Sequence, residues 1–196
     1  LVVDRPGFVM QLYEKSILDY EIPKINNLVT SQVYGDYLVT VRLAGVGFLV
    51  LELYTKGTLT WSQTLTTLQF YNISLVLGAT GIFLLFDAVG ITHMQGVSIS
   101  QSPITILAQF GYNSNLLGYC TINSTQDRNI VYDSTAQLIY LYGTTNAPLK
   151  INNSVVINRN SSYSFSIPLS PNLTPLSSLV AEDITIETLA VSNGNI

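Results

Sequence analysis

The chain has 196 residues, of which 47% are hydrophobic and only 10% charged, with a formal net charge of −4. A soluble domain usually carries about 25% charged residues, and helices need charged solvent faces, so this composition favours β-structure over a helical fold. The basic residues are scattered (Arg5, Lys15, Lys24, Arg42, Lys56, Arg128, Lys150, Arg159), with none of the clustering that phosphate binding needs, and nucleic acid is excluded as an expected partner.

The length suffices to bury a substantial core in one domain or two. Cys120 is the single cysteine, so no intrachain disulfide framework exists, and it reads as a small core residue on a strand. The most apolar run, Ile82 to Phe86, is far too short to cross a bilayer as a helix, and no transmembrane segment is expected. The chain starts at Leu1 rather than Met, which reads as a processed product or a fragment.

Taken in order, Gly7 to Tyr13 and Leu18 to Ile22 read as a first strand pair. Asp36 to Val41 is an apolar strand preceded by the short stretch Leu28-Val29. The clearest signal follows at Gly47 to Leu65, where Phe48, Val50, Glu52 and Tyr54 alternate with Leu49, Leu51 and Leu53. Lys56-Gly57 supplies a tight turn, and Leu59, Trp61 and Gln63 resume the alternation on the return strand.

Further along, Ile73 to Leu77 and Gly81 to Phe86 repeat the inner pair, and Ile104 to Ile122 repeats the hairpin. Laid on the clearest copy, Phe8 meets Leu49, and Leu49, Leu53 and Leu59 meet Ile106, Phe110 and Leu116 in turn. Ile130 to Tyr132 and Gln137 to Tyr142 form the next inner pair, followed by Tyr163 to Leu176. Pro171 and Pro175 make the return strand of that last copy doubtful, because proline suits only strand edges and ends. Asp183 to Leu189 reads as an alternating strand, and the final residues as the start of a further inner pair. Each unit holds about four strands at a spacing of roughly 40–60 residues, the signature of a β-propeller. Apolar residues at successive positions in Phe48 to Leu53 and Ile82 to Phe86 fit sheets buried on both faces.

The elements Gly35 to Thr40, Phe48 to Leu53, Gly57, Leu59 and Trp61, with Tyr140 to Gly143, resemble the blades of β-propeller repeat proteins of bacteria and large DNA viruses. The Lys that the family carries in its Phe-Val strand is absent here, and Gln11, Glu52 and Gln109 stand nearby instead. The expected organisation is a half-blade at 1–27, repeats at about 28–70, 71–127 and 128–180, and a half-blade at 181–196. The two halves either join to close four blades or are cut ends of a larger propeller. A β-sandwich, jelly roll or outer-membrane barrel is the alternative architecture.

No catalytic constellation is legible. His93, the lone histidine, is placed in a spacer loop, and no Gly-x-Ser-x-Gly motif surrounds a candidate serine. One His and one Cys exclude a tetrahedral His/Cys zinc site within the chain. Asp127 and Asp133 invite a calcium reading but lack the ligand density of a calcium loop. The tyrosines at turn edges (Tyr13, Tyr54, Tyr112, Tyr119) suggest either blade packing or stacking on sugar rings. Glycosylation acceptors stand at Asn72, Asn123, Asn152, Asn160 and Asn172.

The expected function is therefore a non-catalytic structural or protein-interaction module with no cofactor and no metal. Its expected partners are other protein chains of a larger assembly, in a virion or at a cell surface, with glycans second. A carbohydrate-binding propeller is the first alternative, and a hydrolase using loop carboxylates the second.

Overall fold

A computed structural model describes residues 2–5, 8–11, 26–123 and 127–181. All regular structure among them is β-strand, and every strand pairing is antiparallel. No helix of the described residues is long and apolar enough to cross a membrane. The expected strand at Leu18 to Ile22 and the expected half-unit at the C-terminus lie outside the described residues, apart from Ala181.

Strands β1 (Val2–Arg5) and β2 (Phe8–Gln11) pair with each other as a two-stranded sheet. The strand read at Gly7 to Tyr13 thus finds its described partner upstream, at Val2 to Arg5, and not downstream.

A first meander follows in β3 (Leu28–Tyr34), β4 (Tyr37–Gly45), β5 (Phe48–Thr55) and β6 (Thr58–Thr66). Its β5–β6 turn is Lys56-Gly57, with φ of 50° and 77°. Two successive positive φ values give a turn whose twist matches the strands it joins.

The second meander is β7 (Gln69–Gly78), β8 (Gly81–Val89), β11 (Ile104–Phe110) and β12 (Leu116–Ile122). Between β8 and β11 the chain makes a short hairpin, β9 (Thr92–Met94) and β10 (Val97–Ile99). The third meander, β13 (Asp127–Asp133), β14 (Leu138–Thr145), β17 (Tyr163–Leu169) and β18 (Leu179–Ala181), carries a matching hairpin, β15 (Leu149–Ile151) and β16 (Ser154–Ile157).

These hairpins do not join their own sheets. The β9–β10 hairpin adds to β6 of the first sheet and the β15–β16 hairpin to β12 of the second, making both sheets six-stranded. Residues Gly90 to Gly96, read from sequence as a spacer loop, therefore include a strand that crosses to the preceding unit. Its turn, Gln95-Gly96, has φ of 42° and 81°, and the second hairpin turns at Asn152-Asn153 with φ of 51° and 66°.

The second sheet is packed on both sides. Ile82, Leu84, Phe86 and Ala88 of β8 join a core with Val39, Val41, Leu49, Leu51 and Leu53 of the first sheet. The intervening residues Phe83 and Leu85 join a second core with Ile139, Leu141, Phe165 and Ile167 of the third. Successive side chains of one strand thus enter different cores, which is why β8 reads as an unbroken apolar run. The crossing hairpins contribute Met94 and Ile99 to the first core, and Leu149, Ile151 and Ile157 to the second.

The residue pairing between copies needs correction. Leu49 and Ile106 both lie on third strands of their meanders, but they meet within the same core from facing sheets. They lie on facing sheets and are not counterparts. With apolar residues on both faces of the second sheet, hydropathy alone cannot fix the comparison to better than one residue, and a one-residue slip reverses the face.

In the last meander Leu173 is buried, and Leu169 bridges to Pro175. Pairing with β17 resumes only at Leu179–Ala181, beyond both prolines.

Cys120 lies on β12 in the second core, fully buried, and burial pushes its thiol up to about 12. A thiolate is the reactive form, so native protein at pH 8 is expected to resist a maleimide or disulfide reagent. Denaturant should expose one thiol per chain. Fast labelling of the native protein would contradict this burial.

Candidate functional site: the groove between the leading strands

Strands β3, β7 and β13 each open a meander and each end a sheet. They run side by side in the order β3, β7, β13 and bound a groove of about 430 Å³. An end strand keeps one row of backbone N–H and C=O groups that no sheet neighbour takes up.

The polar side chains lining the groove are neutral: Thr30 and Gln32 from β3, Ser74 from β7, Asn129 and Tyr132 from β13. Val33, Val76 and Val131 are among its apolar lining. The Ser74 hydroxyl donates to Asn129 Oδ1, which also accepts the Ile130 N–H at 2.8 Å, so one carboxamide ties β7 to β13. The Tyr132 ring stacks on Phe83 at 6.2 Å between centroids, and its hydroxyl accepts the Ala79 N–H at 3.2 Å. No Asp, Glu, Lys, Arg or His lines this groove. Hydroxyls, carboxamides and strand edges suit water, neutral hydrogen-bonding ligands or an extended backbone, and not phosphate.

Beside it lies a smaller cavity of about 190 Å³ lined by Tyr71, Asp87, Thr105 and Arg128, among others. Asp87 Oδ1 accepts the Thr105 hydroxyl at 2.7 Å and the Arg128 guanidinium, and Oδ2 accepts the Asn72 carboxamide at 2.8 Å. Burial lowers Arg128 to about 10, which still leaves it charged at neutral pH. The pair bolts the third sheet to the second, and both carboxylate oxygens are engaged.

A second polar group lies on the face of the first sheet turned away from the second. Glu52, 6% exposed, accepts from Arg42 at 3.0 Å, from the Tyr54 hydroxyl at 3.2 Å and from the Thr40 hydroxyl at 3.3 Å. Burial, and then the Glu52 carboxylate, raise the Tyr54 phenol above its usual range. Here the carboxylate in the Phe-Val strand is an ion-pair partner of the neighbouring strand.

The residues singled out from the sequence scatter. His93 lies on β9, opposite Ser98, with its Nδ1 2.8 Å from the Ser98 hydroxyl across the hairpin. Asp127 and Asp133 stand at opposite ends of β13, about 20 Å apart at ~3.3 Å per residue, too far to share one calcium ion. Asp133 instead caps the following turn, accepting the Thr135 and Ala136 N–H groups at 2.8 and 3.0 Å. No group of three potential metal ligands occurs among the described residues.

Tyr112 stacks on Tyr37 at 4.5 Å, and its hydroxyl donates to the Gly78 carbonyl at 2.9 Å. Its backbone carbonyl accepts the Trp61 indole N–H at 2.8 Å. Tyr112 is thus a packing residue linking the first two sheets. Tyr54 is buried, while Tyr119 is 39% exposed. Tyr13 lies outside the described residues. The groove itself was missed in the sequence, where the short leading strands show only as apolar stretches before the longer ones.

No family model matches the chain, and no curated protein or solved structure matches it.

Proposed function

We propose that the chain is a non-catalytic β-propeller scaffold, a structural or interaction module of a larger protein assembly. The units are read as 28–70, 71–127 and 128–180, flanked by half-units at 1–27 and 181–196. The propeller reading draws support from three successive meanders, from the adjacency of their first strands around one groove, and from the two-sided burial of the middle sheet. The resemblance to propeller proteins of bacteria and large DNA viruses adds the virion or cell surface as the proposed setting.

The observation that carries the interaction role is the way the units are joined. Each crossing hairpin completes the sheet of its neighbour through a strand edge, and strand addition is also how β-proteins recruit other chains. Proteins, not nucleic acid, are the proposed partners.

The test is lysine cross-linking of the native assembly followed by peptide mapping. Lys56, with 59% of its side chain exposed at the β5–β6 turn, and exposed Lys150 on β15 are expected to yield cross-links to other protein chains. Links confined within single chains would reject the module.

A carbohydrate-binding reading is favoured by the neutral hydroxyl and carboxamide lining of the groove, and less by the tyrosines, whose described members are largely committed to packing. Binding on a glycan array that a Gln32→Ala change abolishes would support it, and an array without hits would remove it.

A further inference from the structure

Turns between strands are ordinarily built from Gly, Asn, Asp and other polar residues, because their tips face water. The first sheet follows that rule at one end, where it turns through Gly35-Asp36 and Lys56-Gly57. At the other end it does not. The β4–β5 turn presents Val46 between Gly45 and Gly47, and Val46 is 87% exposed. Phe48 beside it is 50% exposed, Leu68 in the β6–β7 connection 67%, and Ile91 in the β8–β9 connection 55%. No charged residue occurs in Gly45 to Phe48, Thr66 to Gln69 or Val89 to Thr92. All three segments and the chain flanking them lie within the described residues 26–123.

The segments are tied to one another. The Thr67 N–H donates to the Gly47 carbonyl at 3.0 Å, and the Leu68 N–H to the Val89 carbonyl at 3.0 Å. The Thr67 hydroxyl donates to that same Val89 carbonyl at 2.8 Å. The Gly90 N–H donates to the Ser102 hydroxyl at 2.7 Å. A Cβ on Gly47 would overlap the Thr67 carbonyl, so glycine is what lets the first two segments approach. Single exposed apolar side chains are ordinary on a protein surface, but four on three joined segments form a patch.

We propose that these turn tips dip into the surface of a neutral, zwitterionic lipid bilayer. A stable protein–protein interface takes about 20–30 residues a side, and four side chains on three tips supply far less. They suffice for shallow insertion, where binding grows with buried apolar area and no matching surface is required. The lack of Lys and Arg at the tips, with a net charge of −4 over the chain, favours zwitterionic over anionic lipid. The contact is peripheral and spans nothing. It goes beyond the interaction-module reading, and Lys56 marks the opposite end of the β5–β6 hairpin.

The test is co-flotation of the 196-residue chain with phosphatidylcholine vesicles at millimolar lipid. The wild type is expected to float with the vesicles, equally well in low and high salt. Val46→Asp with Leu68→Asp should lower the partition coefficient by about tenfold or more, since both charges must leave water to insert. Phe48→Ala should lower it about threefold, through the apolar area lost. Leu59→Ser, at an exposed apolar position beside the Lys56-Gly57 turn, should leave it unchanged.

Val46→Asp alone serves if the double variant fails to fold by circular dichroism, because that side chain is the most exposed of the four. A wild type that stays off neutral vesicles overturns the proposal. Binding that requires phosphatidylglycerol or collapses in high salt overturns it, since charge and not the tips would then hold the lipid. Equal losses from Leu59→Ser and the tip variants do the same. Self-association that Val46→Asp abolishes, without lipid binding, would assign the tips to a protein contact instead. The module reading is judged separately, by cross-links from Lys56 and Lys150 to other proteins.

Discussion

Replacing Asp87 by alanine is expected to destabilise the protein by about 3–5 kcal/mol in urea or guanidinium unfolding, because it strands a buried guanidinium. The side chains of Arg128 and Asp87 are only 7% and 14% exposed, and the carboxylate collects the guanidinium of β13, the Thr105 hydroxyl and the Asn72 carboxamide. Removing one partner leaves the other charge desolvated without its counter-charge. Removing both is less harmful: a double Asp87→Leu, Arg128→Met variant is expected to recover much of the loss, since a buried ion pair pays a desolvation cost that an apolar pair avoids. Equal losses in the single and double variants would show that packing, and not charge, fixes this junction between the second and third sheets. At an exposed pair such as Lys56–Asp36, separated by 3.9 Å, the same exercise should change stability by no more than about 1 kcal/mol.

Phe86→Ala is expected to cost about 3–5 kcal/mol, through lost transfer energy and the cavity left behind. Phe86 is fully buried in the core between the first and second sheets, edge-on to Phe70 at 5.5 Å. It lies on β8, which is hydrogen-bonded on both sides and packed on both faces, so the site has little freedom to collapse. A midpoint shift of about 2–4 °C per kcal/mol translates the loss into a thermal scan. Phe48→Ala offers the control. That residue is 50% exposed at the start of β5, and its loss should fall within about 0.5 kcal/mol. If the two phenylalanines cost the same, the two-sided packing of the second sheet is wrong.

How much of this was legible in the sequence depended on which residues carried the signal. The β5–β6 hairpin was readable because Leu49, Leu51 and Leu53 alternate with Val50, Glu52 and Tyr54, and because Lys56-Gly57 has the composition of a two-residue turn. The burial of β8 on both faces was readable as well, since Ile82 to Phe86 has no polar position to give to solvent. Cys120 was placed correctly in the core from its type alone.

The crossing hairpins were not readable. Thr92 to Met94 and Leu149 to Ile151 are each three residues long, too short for alternation to stand out, and what makes them strands is the neighbouring edge that they complete. His93 looked like a loop residue for that reason. Asp127 and Asp133 looked like potential co-ligands because closeness in sequence suggests closeness in space, which an extended strand denies.

By itself, then, the sequence determined the all-β character, the position of the long strands and the two-sided burial. These follow from local alternation, turn chemistry and scarcity of charge, all written within a few residues. The tertiary structure alone decided which sheet each hairpin completes, which faces meet in each core, and where Asp87 finds Arg128. Those depend on contacts between residues distant along the chain, where backbone hydrogen bonds carry no side-chain signature and apolar side chains are nearly interchangeable.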